Sequence, residues 1–192
     1  MVVLWDSLGT LLDVDPVRDR YPGWLERVLH HGAALTLVGE FAPFAELAEA
    51  ANPDAFRMLG EELRPHSDVA DALDVLEESG IRSWIVTNGG RDSTEHALGE
   101  PRVPLRRHRL DRRRPALEAG EGALPRDAAP RRCCAGAGVS CAAHAWDVRA
   151  AVRYGLRAVW VDRLEVDWPL PGDPHEPSAS SLTEAARLAS RA

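Results

Sequence analysis

Apolar residues occur along the chain in short runs that end on polar residues, a pattern that predicts buried strands. Val2 to Trp5 is a run of four apolar residues, two of them β-branched and one aromatic, which predicts a strand buried on both faces of a parallel sheet. Ser83 to Val86 predicts a second buried strand, followed by a polar pair and a glycine turn. Arg157 to Arg163 predicts a further strand with its exit.

Helical spacing fills the stretches between these strands. Pro16 to Arg64 carries apolar residues at helical intervals, and Asn52-Pro53-Asp54 is typical of a helix start for Ala55 to Leu63. Ala70 to Glu78 predicts a helix that stops at a glycine, and Ser181 to Ala192 predicts a closing helix. Alternating strands and helices indicate an α/β fold.

The acid at the end of the first strand is the first candidate for chemistry. Asp6 ends an apolar run, and Gly9 then allows a sharp backbone turn. Open α/β sheets place their ligand crevice at the carboxyl ends of central strands. A carboxylate there can act as a nucleophile that forms a covalent ester. The alternative is an Asp that merely caps the next turn.

Composition limits the classes of function. The 192 residues fit one domain with room for a small inserted subdomain, and the formal charge of −7 argues against a nucleic-acid binder. We expect a cytoplasmic protein without a membrane span, because no apolar run approaches about 20 residues. The three cysteines form no disulfide framework or zinc pattern. All 23 basic residues are Arg, so the chain has no Lys.

Three motifs carry a resemblance to a known family. Asp6-x-x-Gly9-Thr10-Leu11 resembles the nucleophile loop of the haloacid dehalogenase superfamily, and its continuation is most similar to the L-2-haloacid dehalogenase branch. Thr87-Asn88 after a strand resembles the second motif, and residues 142–147 (AAHAWD) resemble the fourth. Phosphatases of the superfamily carry a second Asp where this chain has Leu8, which favours the dehalogenase branch.

The resemblance implies a fold and a domain division. The expected architecture is a Rossmann-like three-layer α/β sandwich with a helical cap inserted after the first strand. Residues 1–14 and 65–192 would form the core, and residues 15–64 the cap. The implied activity is release of halide from a 2-haloalkanoic acid through an aspartyl ester.

The resemblance also implies roles for individual residues. Asp6 would be the nucleophile and Asp147 would position or activate water, while Thr10, Thr87 and Asn88 would orient Asp6. Three substrate-binding residues are implied in addition: Leu8, His144 and Arg27. The family's cap Arg aligns with Leu25, so nearby Arg27 or Arg18 would have to serve, the alternative being arginines on a solvated helix face. No cofactor is expected; Mg²⁺ on Asp6 and Asp147 belongs to the alternative of a phosphatase, for which Ala143 removes a ligand.

Residues 101–140 differ from the rest of the chain in composition and in hydrophobic periodicity. They hold ten of the 23 arginines and no aromatic residue, and neither strand nor helix periodicity runs through most of them. In the family this span holds a catalytic Lys followed by Pro. Arg114-Pro115 is the only pair in this span that resembles it. We hypothesise that the span is translated out of frame between two compensating frameshifts. A flexible Arg-rich insertion and a basic binding loop are the competing interpretations.

The missing Lys bears on activity. Two neighbouring carboxylates without a cation would raise one pKa and repel an anionic substrate. We therefore predict little or no dehalogenase activity for this chain as written, with a phosphatase or a catalytically dead remnant of the fold as alternatives. The expected partner is a small anionic substrate, not a nucleic acid or a membrane, and a homodimer is the assembly considered.

Overall fold

The computed structural model of the chain describes residues 1–99, 138–165, 167–172 and 177–191. Arg114 therefore lies outside the described residues. Of the span to which the frameshift hypothesis applies, residues 101–140, only residues 138–140 are described. The seven strands within them are β1 (Val2–Asp6), β2 (Leu12–Asp13), β3 (Arg64–Pro65), β4 (Arg82–Val86), β5 (Gly138–Ala142), β6 (Arg157–Val161) and β7 (Ser178–Ala179). The eight helices are α1 (Asp15–Arg20), α2 (Trp24–Leu37), α3 (Phe44–Ala51), α4 (Pro53–Glu62), α5 (Val69–Glu78), α6 (Arg91–Leu98), α7 (Ala145–Arg153) and α8 (Leu182–Ser190).

A five-stranded parallel sheet forms the centre, with strand order β4-β1-β5-β6-β7. The chain leaves β1 and returns first on one side of it, as β4, and then on the other side, as β5. β1 is therefore the point where the strand order switches, and ligand crevices of open α/β sheets form at the carboxyl ends of such strands. Asp6, the last residue of β1, lies at this point.

Helices cover the two faces of the sheet, which confirms the three-layer α/β fold. Side chains of β6 alternate between the faces: Val159 and Val161 pack into the cluster that contains residues of α5 and α8, whereas Ala158 and Trp160 pack with α7. This period of two is the reason that one strand can bind helices on both sides. In β1 the expected burial on both faces is only partly confirmed, because Val3 and Trp5 are fully buried whereas Val2 and Leu4 are half-buried.

Four helices, α1 to α4, lie between the nucleophile loop and the rest of the sheet. A two-stranded antiparallel ribbon of β2 and β3 joins the start and the end of this helical insert. The predicted start of α4 is confirmed, since the Asn52 side chain accepts the N–H groups of Asp54 and Ala55 at 3.0 and 3.1 Å. The division into core and cap at residues 14/15 and 64/65 stays a prediction.

β5 begins earlier than the sequence suggested. Gly138 and Val139 fall inside the span that we interpreted as anomalous, yet they pair with Val2 and Val3 in register. Val139 is 1% exposed and belongs to the core. The regular fold therefore resumes by Gly138, and the upper limit of the anomalous span has to be moved back from residue 140.

Within the described residues, no helix is long and apolar enough to cross a membrane.

Candidate active site

The loop after β1 is a tight turn that presents the Asp6 carboxylate. The carbonyl of Ser7 accepts the N–H groups of Thr10, Leu11 and Leu12 at 2.9–3.2 Å. Gly9 closes the turn with φ of +79°, in the left-handed region, and a Cβ there would lie 2.4 Å from Leu164 Cδ1. Both the backbone angle and the lack of space require glycine at this position.

Replacing Gly9 with Ala should therefore lower the free energy of unfolding more than the same change at Gly23. Gly23 also has a positive φ, +73°, but nothing lies within 4 Å of an added Cβ. The left-handed conformation alone costs an L-residue about 1–2 kcal/mol, and Gly9→Ala adds the contact with Leu164. Urea unfolding of the two variants measures the difference. Equal losses would show that the Leu164 side chain simply moves away.

Asp6 is held from two sides. The Thr10 hydroxyl donates to Asp6 Oδ2 at 2.6 Å, and Thr10 Oγ1 in turn accepts the N–H of Ala143 at 2.8 Å. His144 Nδ1 lies 3.3 Å from the same oxygen, Asp6 Oδ2. The nucleophile loop is thus fastened to the end of β5, and Asp6 Oδ1 is left toward the crevice among the contacts of the described residues.

Asp147 approaches Asp6 from the first turn of α7. One atom each of Asp6, His144 and Asp147 lie within 4.8 Å of one another, and His144 Nδ1 is 3.9 Å from Asp147 Oδ2. The N-terminal end of a helix favours negative charge, which eases the placement of Asp147 there. Two carboxylates therefore lie within reach of one water molecule, and His144 is the one ion-pairing neighbour of Asp6 in the described part of the chain.

A narrow crevice opens over these side chains. Its lining consists of Asp6, Leu8, Leu25, Leu29, Asn88, His144 and Trp146. Leu25 and Leu29 come from α2, so the helical insert covers the carboxyl end of β1. The structure brings together Asp6, Thr10, His144 and Asp147 by direct contacts, and it places Leu8 and Asn88 in the same crevice.

Two predicted residues are placed differently. The hydroxyl of Thr87 accepts the N–H of Gly89 at 3.0 Å and so closes its own turn after β4. Arg27 is exposed on α2 and lines neither this crevice nor the larger cavity described below, whereas Leu25 faces Asp6. The assignment of Arg27 to substrate binding stays a prediction; Trp24, Leu25 and Val28 define the buried face of α2, and Arg27 lies away from it.

The residues present suit Mg²⁺ poorly. Mg²⁺ prefers several oxygen ligands in near-octahedral geometry, whereas the converging set here is two carboxylates and one imidazole. Ala143, where a further carboxylate would serve a phosphatase, offers only a buried methyl group. No step of the proposed reaction is therefore assigned to a metal ion.

Cys141 in β5 takes no part in chemistry of its own. It is a free, fully buried thiol, and burial raises its pKa far above the ordinary value. A neutral thiol in this position is a packing residue. Cys133 and Cys134 belong to the part of the chain that the structure does not describe.

A partly buried ion pair supports the nucleophile loop, and sequence reasoning missed it. Arg163 donates to the carbonyl of Thr10 at 3.2 Å and to Asp68 Oδ2 at 2.6 Å, and Asp68 Oδ2 also accepts the N–H of Leu182 at 2.8 Å. Burial opposes the charge of Asp68, but the bonds from Arg163 and Leu182 outweigh it and hold the pKa of Asp68 below its ordinary value. Burial and Arg163 also lower the pKa of His66.

Replacing Asp68 with Asn should lower the free energy of unfolding by about 1–2 kcal/mol near pH 6, because the partly buried Arg163 would lose its counter-ion. The folded-state pKa of Asp68 is depressed, so this stability is present above 3.8 and lost as the pH falls through the folded value. The difference between wild type and Asp68→Asn should therefore shrink at about pH 3. The exposed Asp71 of the same helix provides the control, since Asp71→Asn should change stability by less than about 0.5 kcal/mol. A difference that stays constant with pH would contradict the assignment.

Known proteins resemble the chain over most of its length. No family model matches. The (S)-2-haloacid dehalogenase H-109 of Pseudomonas putida is 25% identical over 199 aligned positions, which cover 84% of this chain and 85% of that protein. Haloacetate dehalogenase H-2 of Moraxella sp. (strain B) is 26% identical over 203 positions, which cover 84% and 85%.

Solved structures show the same relationship in the fold. The L-2-haloacid dehalogenase from Xanthobacter autotrophicus superposes with a TM-score of 0.68 at 17% identity, over 97% of each chain. The chain is thus similar in sequence to 2-haloacid dehalogenases and shares the fold of a solved L-2-haloacid dehalogenase.

Proposed function

We propose that the chain is built for hydrolytic release of halide from 2-haloalkanoic acids. The observation that carries the proposal is the pairing of Asp6, fixed by Thr10 and His144, with Asp147 at one-water distance beside a crevice that Leu8, Leu25 and Leu29 help to line. The names of the sequence relatives supply the substrate class.

Asp6 would attack the carbon that bears the halogen. Since Thr10 and His144 both hold Oδ2, Oδ1 is the oxygen that forms the new C–O bond. The C–X bond breaks as this bond forms, and its electron pair leaves with the halide. Halide is a stable anion that needs no proton, which agrees with an apolar Leu8 two residues after the nucleophile.

Hydrolysis of the ester would restore the enzyme. Asp147 takes a proton from a water molecule that attacks the carboxyl carbon of Asp6, and the 2-hydroxy acid leaves as the carboxylate re-forms. The oxygen that water adds stays in the Asp6 carboxylate. The second proton of that water passes to the departing alkoxide oxygen, which becomes the hydroxyl group, and the proton on Asp147 passes to solvent. The fixed contacts at Oδ2 keep the carboxyl group aligned through both steps.

A small anionic substrate follows from this chemistry, and it makes the charge of the site decisive. Asp6 and Asp147 are like charges at short range, and the chain has no Lys that would neutralise them. The prediction of low activity for this chain as written rests on the absence of that Lys. A cytoplasmic location and a homodimeric assembly remain predictions from the sequence.

The deciding experiment compares a halogenated acid with a phosphate ester as substrate. We expect any activity to be halide release from 2-chloropropionate, unchanged by EDTA, with no release of phosphate from p-nitrophenyl phosphate. Phosphate release that EDTA abolishes would instead identify a phosphatase. Absence of both activities, also after the family's Lys-Pro segment has been restored, would identify a catalytically dead remnant.

A further inference from the structure

A second and much larger cavity lies next to the crevice. Its volume is about 560 Å³, within the usual range of small-molecule sites. It is bounded by α3 and α4 of the helical insert and by the turn that leads into α6. The apolar part of its lining comprises Leu8, Phe44, Ala45, Phe56, Leu59 and Leu63.

Two residues connect this cavity with Asp6. Leu8 lines both the crevice and the cavity, so the two spaces adjoin at this side chain. Gly89 follows Asn88, which lines the crevice, and itself lines the cavity. A Cβ on Gly89 would lie 3.2 Å from Thr87 Oγ1 and 3.7 Å from Leu8 Cδ1, so any larger residue would crowd the junction.

The charges of the cavity lie at its outer rim. Arg57 is exposed there and is engaged by Asp54 and Glu61 at 3.3 Å each, so its positive charge is already balanced. An anionic group entering from the crevice would find an apolar interior and a rim whose Arg is paired. The cavity is therefore suited to an uncharged chain whose anionic end remains near Asp6.

We infer that this cavity binds the alkyl chain of the substrate, and that the substrate class is 2-haloalkanoic acids of about six to eight carbons. The inference rests on the proposed function. Haloacetate or 2-chloropropionate would leave the cavity without an apolar occupant. A longer chain gains apolar burial there, at about fourfold in affinity per methylene that is buried completely.

Binding of the reaction product tests the inference without any need for turnover. Calorimetry would give the dissociation constants of 2-hydroxyoctanoate and 2-hydroxypropionate for the chain as it is. We expect the longer acid to bind at least about thirtyfold more tightly, which allows for incomplete burial of its five additional methylenes. Equal affinities would overturn the inference.

A pair of substitutions on α3 locates the effect. Ala45 lines the cavity and is exposed, so Ala45→Trp should fill the space without disturbing the core. Ala50 is exposed on the same helix and does not line the cavity, and Ala50→Trp is the matched control. Ala45→Trp should remove most of the preference for 2-hydroxyoctanoate, and Ala50→Trp should retain it. If both variants retain the preference, the chain binds elsewhere and the inference is wrong.

Halide release from a series of 2-bromo acids separates this inference from the proposed function. A kcat/KM that rises with chain length in the wild type and not in Ala45→Trp supports both. Halide release that is independent of chain length, together with equal product affinities, would contradict the alkyl-chain site. The proposed dehalogenase function would still stand. Product binding could depend on chain length while no acid releases halide, even in the chain with the restored segment. That result would contradict the proposed function alone.

Discussion

Halide release from 2-chloropropionate should rise about 10²- to 10³-fold when the family's Lys-Pro segment is restored in place of residues 101–137. In the chain as it stands, Asp6 and Asp147 place two carboxylates within 4.8 Å of each other, with His144 as their partner. Both carboxylates repel an anionic substrate and so weaken its binding. Burial beneath α2 strengthens this repulsion, because charges there are poorly screened.

The restored chain is made by correcting the reading frame across codons 101 to 137, so that the length of the segment and the sequence of β5 are unchanged. Arg114→Lys in the present chain is the control, since it supplies a Lys without the surrounding segment, and Arg is no geometric equal of Lys. We expect that control to recover little of the activity. Turnover of a 2-haloacid by the unmodified chain at the rate of the restored one would refute the prediction. The coding DNA gives an independent check, because the neighbouring frames should contain Lys-Pro and an apolar strand.

Replacing Asp6 with Asn in the restored chain should reduce halide release by roughly 10⁴-fold or more, the scale that loss of a catalytic nucleophile produces. An amide keeps the shape of the side chain and its contact with Thr10, so the fold should be unaffected. Replacing Asp147 with Asn should have a different result. Alkylation of Asp6 would proceed while hydrolysis of the ester stops.

Mass spectrometry of the intact protein distinguishes the two variants. After incubation with 2-chloropropionate, Asp147→Asn should carry one carboxyethyl group on Asp6, and Asp6→Asn should carry none. Circular dichroism of both variants controls for folding. A direct attack of water on the substrate would leave Asp147→Asn unmodified. That result would contradict the ester intermediate but not the dehalogenase function.

The sequence predicted those parts of the site that depend on strand ends. Asp6 follows a short apolar run, and such runs are recognisable because parallel strands bury most of their side chains. Thr10 and Asp147 were found with it, since they lie within a few residues of β1 and β5 in matching motifs. Local pattern and local chemistry coincide at these positions.

Contacts between distant parts of the chain could not be predicted in this way. The ion pair of Arg163 and Asp68 joins residues of α5's N-cap and the exit of β6, and nothing in a chain whose basic residues are all Arg distinguishes Arg163 from the others. The larger cavity depends on how α3 and α4 pack, which periodicity does not determine. The exposed position of Arg27 could have been predicted, because the buried face of α2 follows from the spacing of Trp24, Leu25 and Val28.

The position of β1 in the sheet has a consequence for synthesis of the protein. β1 is made first, but its partners β4 and β5 contain residues 82–86 and 138–142. A nascent chain therefore carries the apolar segment Val2–Trp5 without one of its two neighbours until residue 142 has left the ribosome. Sheets that close over such long separations fold slowly and expose aggregation-prone segments meanwhile. The yield of native protein should accordingly depend on the sequence of the segment between residues 86 and 138, which holds most of the anomalous composition.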